Sequence, residues 1–139
     1  MRQANGELTV ATGGTGLVEI TQDVTEWVAA QGMSAGLLTL FIRHTSASLL
    51  VNENAAAEVR GDIERYFARI APEDATAYAH DDEGPDDMPA HLRTALTGVS
   101  LSIPVAGGRP VLGTWQGIFV FEHRRAPHRR RVAMHLIGE

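Results

Sequence analysis

The chain has 139 residues, 44% hydrophobic, 21% charged and 6% aromatic, with 17 acidic against 12 basic side chains and a formal net charge of -5. That length buries one core and leaves too little chain for two ordinary domains, so a single domain over residues 1–139 is expected. All 12 basic residues are arginine and there is no cysteine, which excludes Schiff-base chemistry, a phosphate-loop lysine, disulfides and thiolate nucleophiles. The acidic balance speaks against a general nucleic-acid binder. No apolar run approaches the ~18 residues of a membrane span, and the first ten residues lack the apolar stretch of a signal peptide. A cytoplasmic protein with no membrane partner is the expectation.

In chain order, Glu7–Thr12 and Gly16–Thr21 read as two strands of a hairpin turned by Gly13, Gly14 and Gly16. Thr21 or Asp23 is placed to cap a short helix through Ala30, with Val24, Trp27 and Val28 inward and Gly32 as its stop. Gly36–His44 alternates with apolar residues on both faces, the pattern of a central strand. Ser46–Asn52 is a further strand. Ala55–Ile70 carries Val59, Ile63, Tyr66, Phe67 and Ile70 at helical spacing and ends before Pro72. Asp86 or Asp87 is placed to cap the next helix, with Met88, His91, Leu92 and Ala95 on one face and Gly98 as its stop. Strands follow at Val99–Val105, within Val111–His123 and at Arg130–Ile137. Phe119 and Phe121 oppose Ile118 and Val120, so both faces of that strand need cover, one from helices and the other from a neighbouring subunit. Long alternating strands with two to three inserted helices predict an α+β fold with an antiparallel sheet.

Three features carry chemistry. Residues 73–87 hold seven of the 17 acids, beside His80 and His91. Together with His44 at the end of its strand, this is the ligand stock for a divalent metal or for proton transfer near neutral pH. Each histidine alone reads as a packed or solvated residue, and a run of acids is commonly only a solvated loop. Leu112-Gly113-Thr114-Trp115-Gln116-Gly117 offers an aromatic face and an amide at a strand entry. Residues 124–131 hold five of the 12 arginines, which suit phosphate groups as well as an exposed hairpin.

The same residues carry a resemblance. H-T-S-A-S-L at 44–49, N-E-N at 52–54, Y-A-H at 78–80, E-G-P-D-D-M-P-A-H-L at 83–92, L-G-T-W-Q-G-I at 112–118 and E-H-R at 122–124 follow one another as in the YjbQ family, also called UPF0047, known as secondary thiamine-phosphate synthases. The first ~15 residues carry none of these motifs. The resemblance implies a β-sandwich-like α+β subunit that associates as a homotrimer. It implies a secondary activity joining hydroxymethylpyrimidine diphosphate to thiazole phosphate with release of pyrophosphate, the natural substrate being unsettled. His44, His80 and His91 match the family's motif histidines, with a bound divalent metal, Mg or Zn, suggested among them. Asn52, Asp87, Trp115, Gln116 and Glu122 match further motif positions.

Fitted to that reaction, His44, His91 and Glu122 are the catalytic candidates, with His91 or Glu122 handling protons. Asn52, Asp87, Trp115, Gln116 and Arg129 are the substrate-binding candidates, Trp115 stacking on a heterocycle. The competing reading is a metal- or phosphometabolite-binding protein whose catalysis is incidental, favoured by the absence of lysine and of a dedicated pyrophosphate loop. A nucleic-acid module on Arg124–Arg131 is the weakest reading, because no aromatics interleave with those arginines.

Overall fold

A computed structural model describes residues 1–139. The strands are β1 (Arg2–Thr12), β2 (Gly16–Glu19), β3 (Ala35–Ile42), β4 (Ala47–Glu53), β5 (Ser100–Ala106), β6 (Arg109–Pro110), β7 (Gln116–Glu122) and β8 (His128–Gly138). The helices are α1 (Thr21–Ala30), α2 (Ala57–Ile70) and α3 (Asp87–Thr97). Two antiparallel sheets form, a five-stranded one in the order β1-β8-β3-β5-β6 and a three-stranded one in the order β2-β7-β4. None of the helices is long and apolar enough to cross a membrane.

The alternation of side chains decides what each sheet buries. Leu38, Leu40 and Ile42 of β3 and Val132, Met134 and Leu136 of β8 face inward. They meet Leu49 of β4 and Ile118 and Val120 of β7 in one core, with Val24 and Val28 of α1 closing an edge. β3 is a central strand, as its doubly apolar pattern predicts. The predicted hairpin is not formed. β1 pairs with β8 and β2 with β7, so the glycines between β1 and β2 carry the chain from one sheet to the other. Gly14 (φ 128°) and Gly16 (φ 146°) supply backbone angles that other residues rarely adopt.

Phe119 and Phe121 point to the outer face of the three-stranded sheet and are nonetheless fully buried. Phe67 of α2 packs edge-on against Phe121, and the Arg60 guanidinium lies over Phe119. Both faces of β7 are therefore covered within one chain, contrary to the expectation of a neighbour there. The face left open is the outer side of the five-stranded sheet, where Leu37 and Phe41 are 43% and 46% exposed.

The helix ends also differ from expectation. Neither Thr21 nor Asp23 caps α1; Ile20 occupies the cap position, and the Thr21 hydroxyl instead accepts from Ile118 N and donates to Glu19. Asp86 precedes α3 without a side-chain cap bond, because its carboxylate is taken by arginines. α3 buries Asp87, Ala90, Arg93 and Thr94 rather than Leu92 and Ala95. Polar partners inside the fold outweigh the apolar stripe.

Gly6 on β1 sits under the Trp27 indole, where an added Cβ would lie 2.4 Å from Nε1. Gly6→Val is expected to lower stability by about 1–3 kcal/mol through overpacking, measured as the shift in urea midpoint.

Candidate functional site

One end of the sandwich gathers the chemistry. There β7 leaves the three-stranded sheet at Glu122, β4 enters it at Ala47 opposite Glu122, and α3 begins at Asp87. His80 on the preceding loop, Glu83, Asp87 and His91 bring four ligand atoms within 4.8 Å of one another. His80 Nε2 lies 3.0 Å from Asp87 Oδ2 and 3.3 Å from Glu83 Oε2, and His91 Nε2 lies 3.3 Å from Asp87 Oδ2. These spacings are close to the edge of a tetrahedron with ~2.1 Å arms, about 3.4 Å. Two imidazoles with two carboxylates suit Zn²⁺ or a similar transition metal better than Mg²⁺, which favours an all-oxygen shell.

The cluster is held from behind. Arg124 NH1 donates to Asp87 Oδ1 at 2.7 Å, leaving Oδ2 toward the histidines. The same guanidinium donates to Asp86 Oδ2 (3.1 Å) and to the Glu83 carbonyl (2.9 Å). Such outer contacts orient ligands and set their charge. Hydrogen bonds from His80 to Glu83 and Asp87 raise its pKa above the ordinary histidine value. Burial opposes ionisation of Asp86, but the Arg125 amide and Arg124 outweigh it and hold the carboxyl below its usual range.

His44 stands apart from the four. It lines a cleft of about 340 Å³ together with His91, Thr94 and Val99. Its Nε2 accepts from the Arg131 amide at 3.1 Å, which puts the ring proton on Nδ1. Burial, then the positive Arg130, lowers its pKa, so the ring is neutral at pH 7.

Glu122 is fully buried. It accepts from Thr12 (2.6 Å), from Arg130 Nε (2.8 Å) and NH2 (2.5 Å), and from the amides of His123 (3.0 Å) and Arg124 (3.2 Å). Burial alone would push its carboxyl up; the bonds from Arg130 and Thr12 outweigh that and hold it below the usual range. With five donors on two oxygens it has no lone pair left for substrate. In this geometry it anchors Arg130 and the turn that delivers Arg124.

Of the arginine run, Arg130 points inward to Glu122 while Arg129 and Arg131 point outward, the period-two rule again. Arg129 is exposed opposite Ala11 and lines none of these cavities.

Asn52, Trp115 and Gln116 lie at the other end of β7. Asn52 opposes Gly117, whereas Ala47 opposes Glu122, so the two positions are ~17 Å apart at about 3.3 Å per residue. Trp115 is 63% exposed, and the Gln116 side chain accepts from Gly113 N, closing its own turn. Within one subunit these three do not join the histidine cluster. The largest depression, about 700 Å³ along α1 beside Glu19, Asp23 and Arg109, contains none of the candidate residues.

Glu83 and Arg124 lie within the quoted motifs without being singled out as site residues, and the buried network behind α3 has no signal in the sequence. Asp87 and His91, four apart on a helix, are a legible ligand pair; Glu83 and Arg124 carry no such signal. In the network, His123 Nε2 and Ser48 Oγ are 2.9 Å apart, and Thr97 Oγ1 lies 2.5 Å from Ser48 Oγ. Burial, then the nearby Arg93 charge, pushes His123 down to about 3. A histidine held neutral in the fold contributes stability above its unfolded pKa of about 6.5 and loses it as pH falls toward its folded one. The loss expected between pH 7 and pH 3.5 is roughly 4 kcal/mol. His123→Gln should flatten that part of the stability-against-pH curve in urea titrations.

A family model described as "UPF0047 protein YjbQ-like" matches residues 6–139. The chain belongs to the YjbQ family. It is 48% identical over 138 residues to UPF0047 protein sll1880 of Synechocystis, covering 99% of this chain and 94% of that one. It is 47% identical over 121 residues to UPF0047 protein YjbQ of Salmonella typhimurium, covering 86% and 87%. Among solved structures, hypothetical protein APE1520 of Aeropyrum pernix superposes with a TM-score of 0.88 at 33% identity, covering 98% of this chain and 99% of that one. An uncharacterised YjbQ/UPF0047 protein of Clostridium acetobutylicum gives 0.86 at 32% identity, covering 94% and 98%. The match begins within β1, upstream of the motif-bearing part, and both solved structures share the α+β fold.

Proposed function

We propose that this YjbQ protein is a metal-dependent enzyme acting on a small phosphorylated metabolite, with thiamine phosphate formation from hydroxymethylpyrimidine diphosphate and thiazole phosphate among its activities. The observation that carries the reading is the group of His80, Glu83, Asp87 and His91, whose ligand atoms lie within 4.8 Å of one another and whose His91 also lines the His44 cleft. When bound there, a divalent cation supplies Lewis-acid stabilisation of charge on a departing diphosphate. Arg124 fixes Asp87 and so the shape of the ligand set. His44, neutral with its proton on Nδ1, presents a donor to a ligand in the cleft. His91 borders both the cluster and the cleft, and is the residue placed to meet substrate.

A homotrimer belongs to this reading. The support is the uncovered sheet face with Leu37 and Phe41, together with the distance from Trp115 to the histidines in one subunit, which a neighbouring copy would have to bridge. Light scattering is expected to give three chains per particle; a monomer at micromolar concentration contradicts it.

The test of activity is thiamine phosphate formation by purified protein with and without added divalent metal, beside a His91→Ala control. Metal-dependent turnover lost in the variant supports the enzyme. Binding that saturates at one equivalent without turnover supports the alternative, a phosphometabolite-binding protein. Equal activity in both proteins points to a contaminating synthase.

A further inference from the structure

Beside the His44 cleft lies a second, smaller cavity of about 210 Å³ whose lining consists of Arg43, His44 and Arg131. Its geometry follows from the sheet. Arg43 continues β3 and donates its amide to the Arg131 carbonyl at 3.1 Å, so the two arginines face each other across adjacent strands. Both side chains point to the outer face and are exposed. Like charges directly opposite on neighbouring strands repel and lower stability. Arg130, between Arg129 and Arg131, turns inward and is neutralised by Glu122, so it adds no free charge to the cavity. The carboxylate that reaches the pair is Glu7, whose Oε2 lies 3.2 Å from Arg43 NH1 in an exposed contact. Exposed pairs of this kind are weak. Arg131 has no carboxylate within ion-pair distance.

We propose that Arg43, His44 and Arg131 form a subsite for a phosphoryl group, the terminal phosphate of the ligand whose body occupies the His44–His91 cleft. Two guanidinium groups offer paired donors of the fork geometry that suits phosphate oxygens. His44 adds the Nδ1 proton left free by the Arg131 amide on Nε2. His44 lines both cavities, so the subsite lies next to the cleft that His91 borders. A ligand seated this way has one phosphate on the arginines and its reactive end toward the His80–His91 cluster. The inference rests on the reading of a phosphorylated substrate but not on the metal, since no member of the cluster lines the basic cavity.

The experiment is titration of full-length, chelator-treated protein with inorganic phosphate by calorimetry at fixed ionic strength, with Zn²⁺ titrated separately into the same proteins. Wild type is expected to bind phosphate saturably. Arg43→Gln with Arg131→Gln should weaken that binding at least tenfold while leaving Zn²⁺ binding unchanged. Glu7→Gln removes the competing carboxylate and should tighten phosphate binding several-fold, a change of opposite sign that misfolding does not mimic. Asp87→Asn should lose Zn²⁺ and keep phosphate. Arg65→Gln, on the far helix, should change neither. The subsite is overturned if wild type shows no saturable phosphate binding, if the double arginine variant binds as wild type does, or if Glu7→Gln weakens binding. If Zn²⁺ fails to bind while phosphate binding follows the predicted pattern, the metal reading falls and the subsite stands.

Discussion

Asp87→Asn is expected to lower divalent-metal affinity at least ~100-fold and to abolish metal-dependent turnover without unfolding the chain. Asp87 is the shared ligand of the group: its Oδ2 lies within 3.3 Å of both His80 and His91, while Oδ1 is held by Arg124. An amide keeps the volume and an acceptor for Arg124 but removes the charge that two imidazoles cannot replace. Calorimetric titration with Zn²⁺ reads the first effect and product formation the second. Unchanged affinity would remove Asp87 from the ligand set. Arg124→Met should act in the same direction more weakly, by roughly 10-fold, since it loosens a ligand rather than deleting one.

The second large effect is on stability. Glu122→Leu is expected to cost about 3–5 kcal/mol, because it leaves the Arg130 charge buried without its partner. Arg130 is 3% exposed and its guanidinium makes four hydrogen bonds, two to Glu122 and two to Ser46. For a domain with a total stability of ~5–15 kcal/mol, that loss brings the folded state close to its limit. Adding Arg130→Met to Glu122→Leu should recover much of it, since a buried pair replaced as a whole costs far less than one broken. Thermal and urea denaturation of the three proteins decide the matter. If Glu122→Leu kept full stability but lost turnover, Glu122 would be a proton-transfer group after all.

How far the sequence carried depended on the kind of interaction. Strand periodicity found β3, β5, β7 and β8, because alternation is written into neighbouring residues. The hairpin expected between β1 and β2 does not form, since strand pairing is set by distant partners and three glycines serve a sheet crossing as well as a tight turn. α3 turns a different face inward from its apolar stripe because Arg93 and Asp87 find polar partners that the stripe does not reveal. At the site, His80, Asp87 and His91 were legible through their motifs and through the helical spacing of the last two. Glu83 opens one of the quoted motifs, but nothing in its spacing sets it apart from the other acids of the loop as a ligand. Glu122 ends a strand and gives no sign of Thr12, which reaches it from the far end of the chain, or of Arg130, which reaches it from the next strand. The alternation of β8 was enough to send Arg129 and Arg131 to one face and Arg130 to the other, but not to show that Arg43 would stand opposite Arg131.

The account turns on whether His80, Glu83, Asp87 and His91 hold one cation. Crystals of the wild-type protein grown with Zn²⁺ or Mn²⁺, measured at the metal's absorption edge, test this most directly. The predicted result is one anomalous peak per chain, bounded by those four side chains and absent in Asp87→Asn. A strong peak elsewhere with none at the cluster, or no peak at saturating metal, would contradict it.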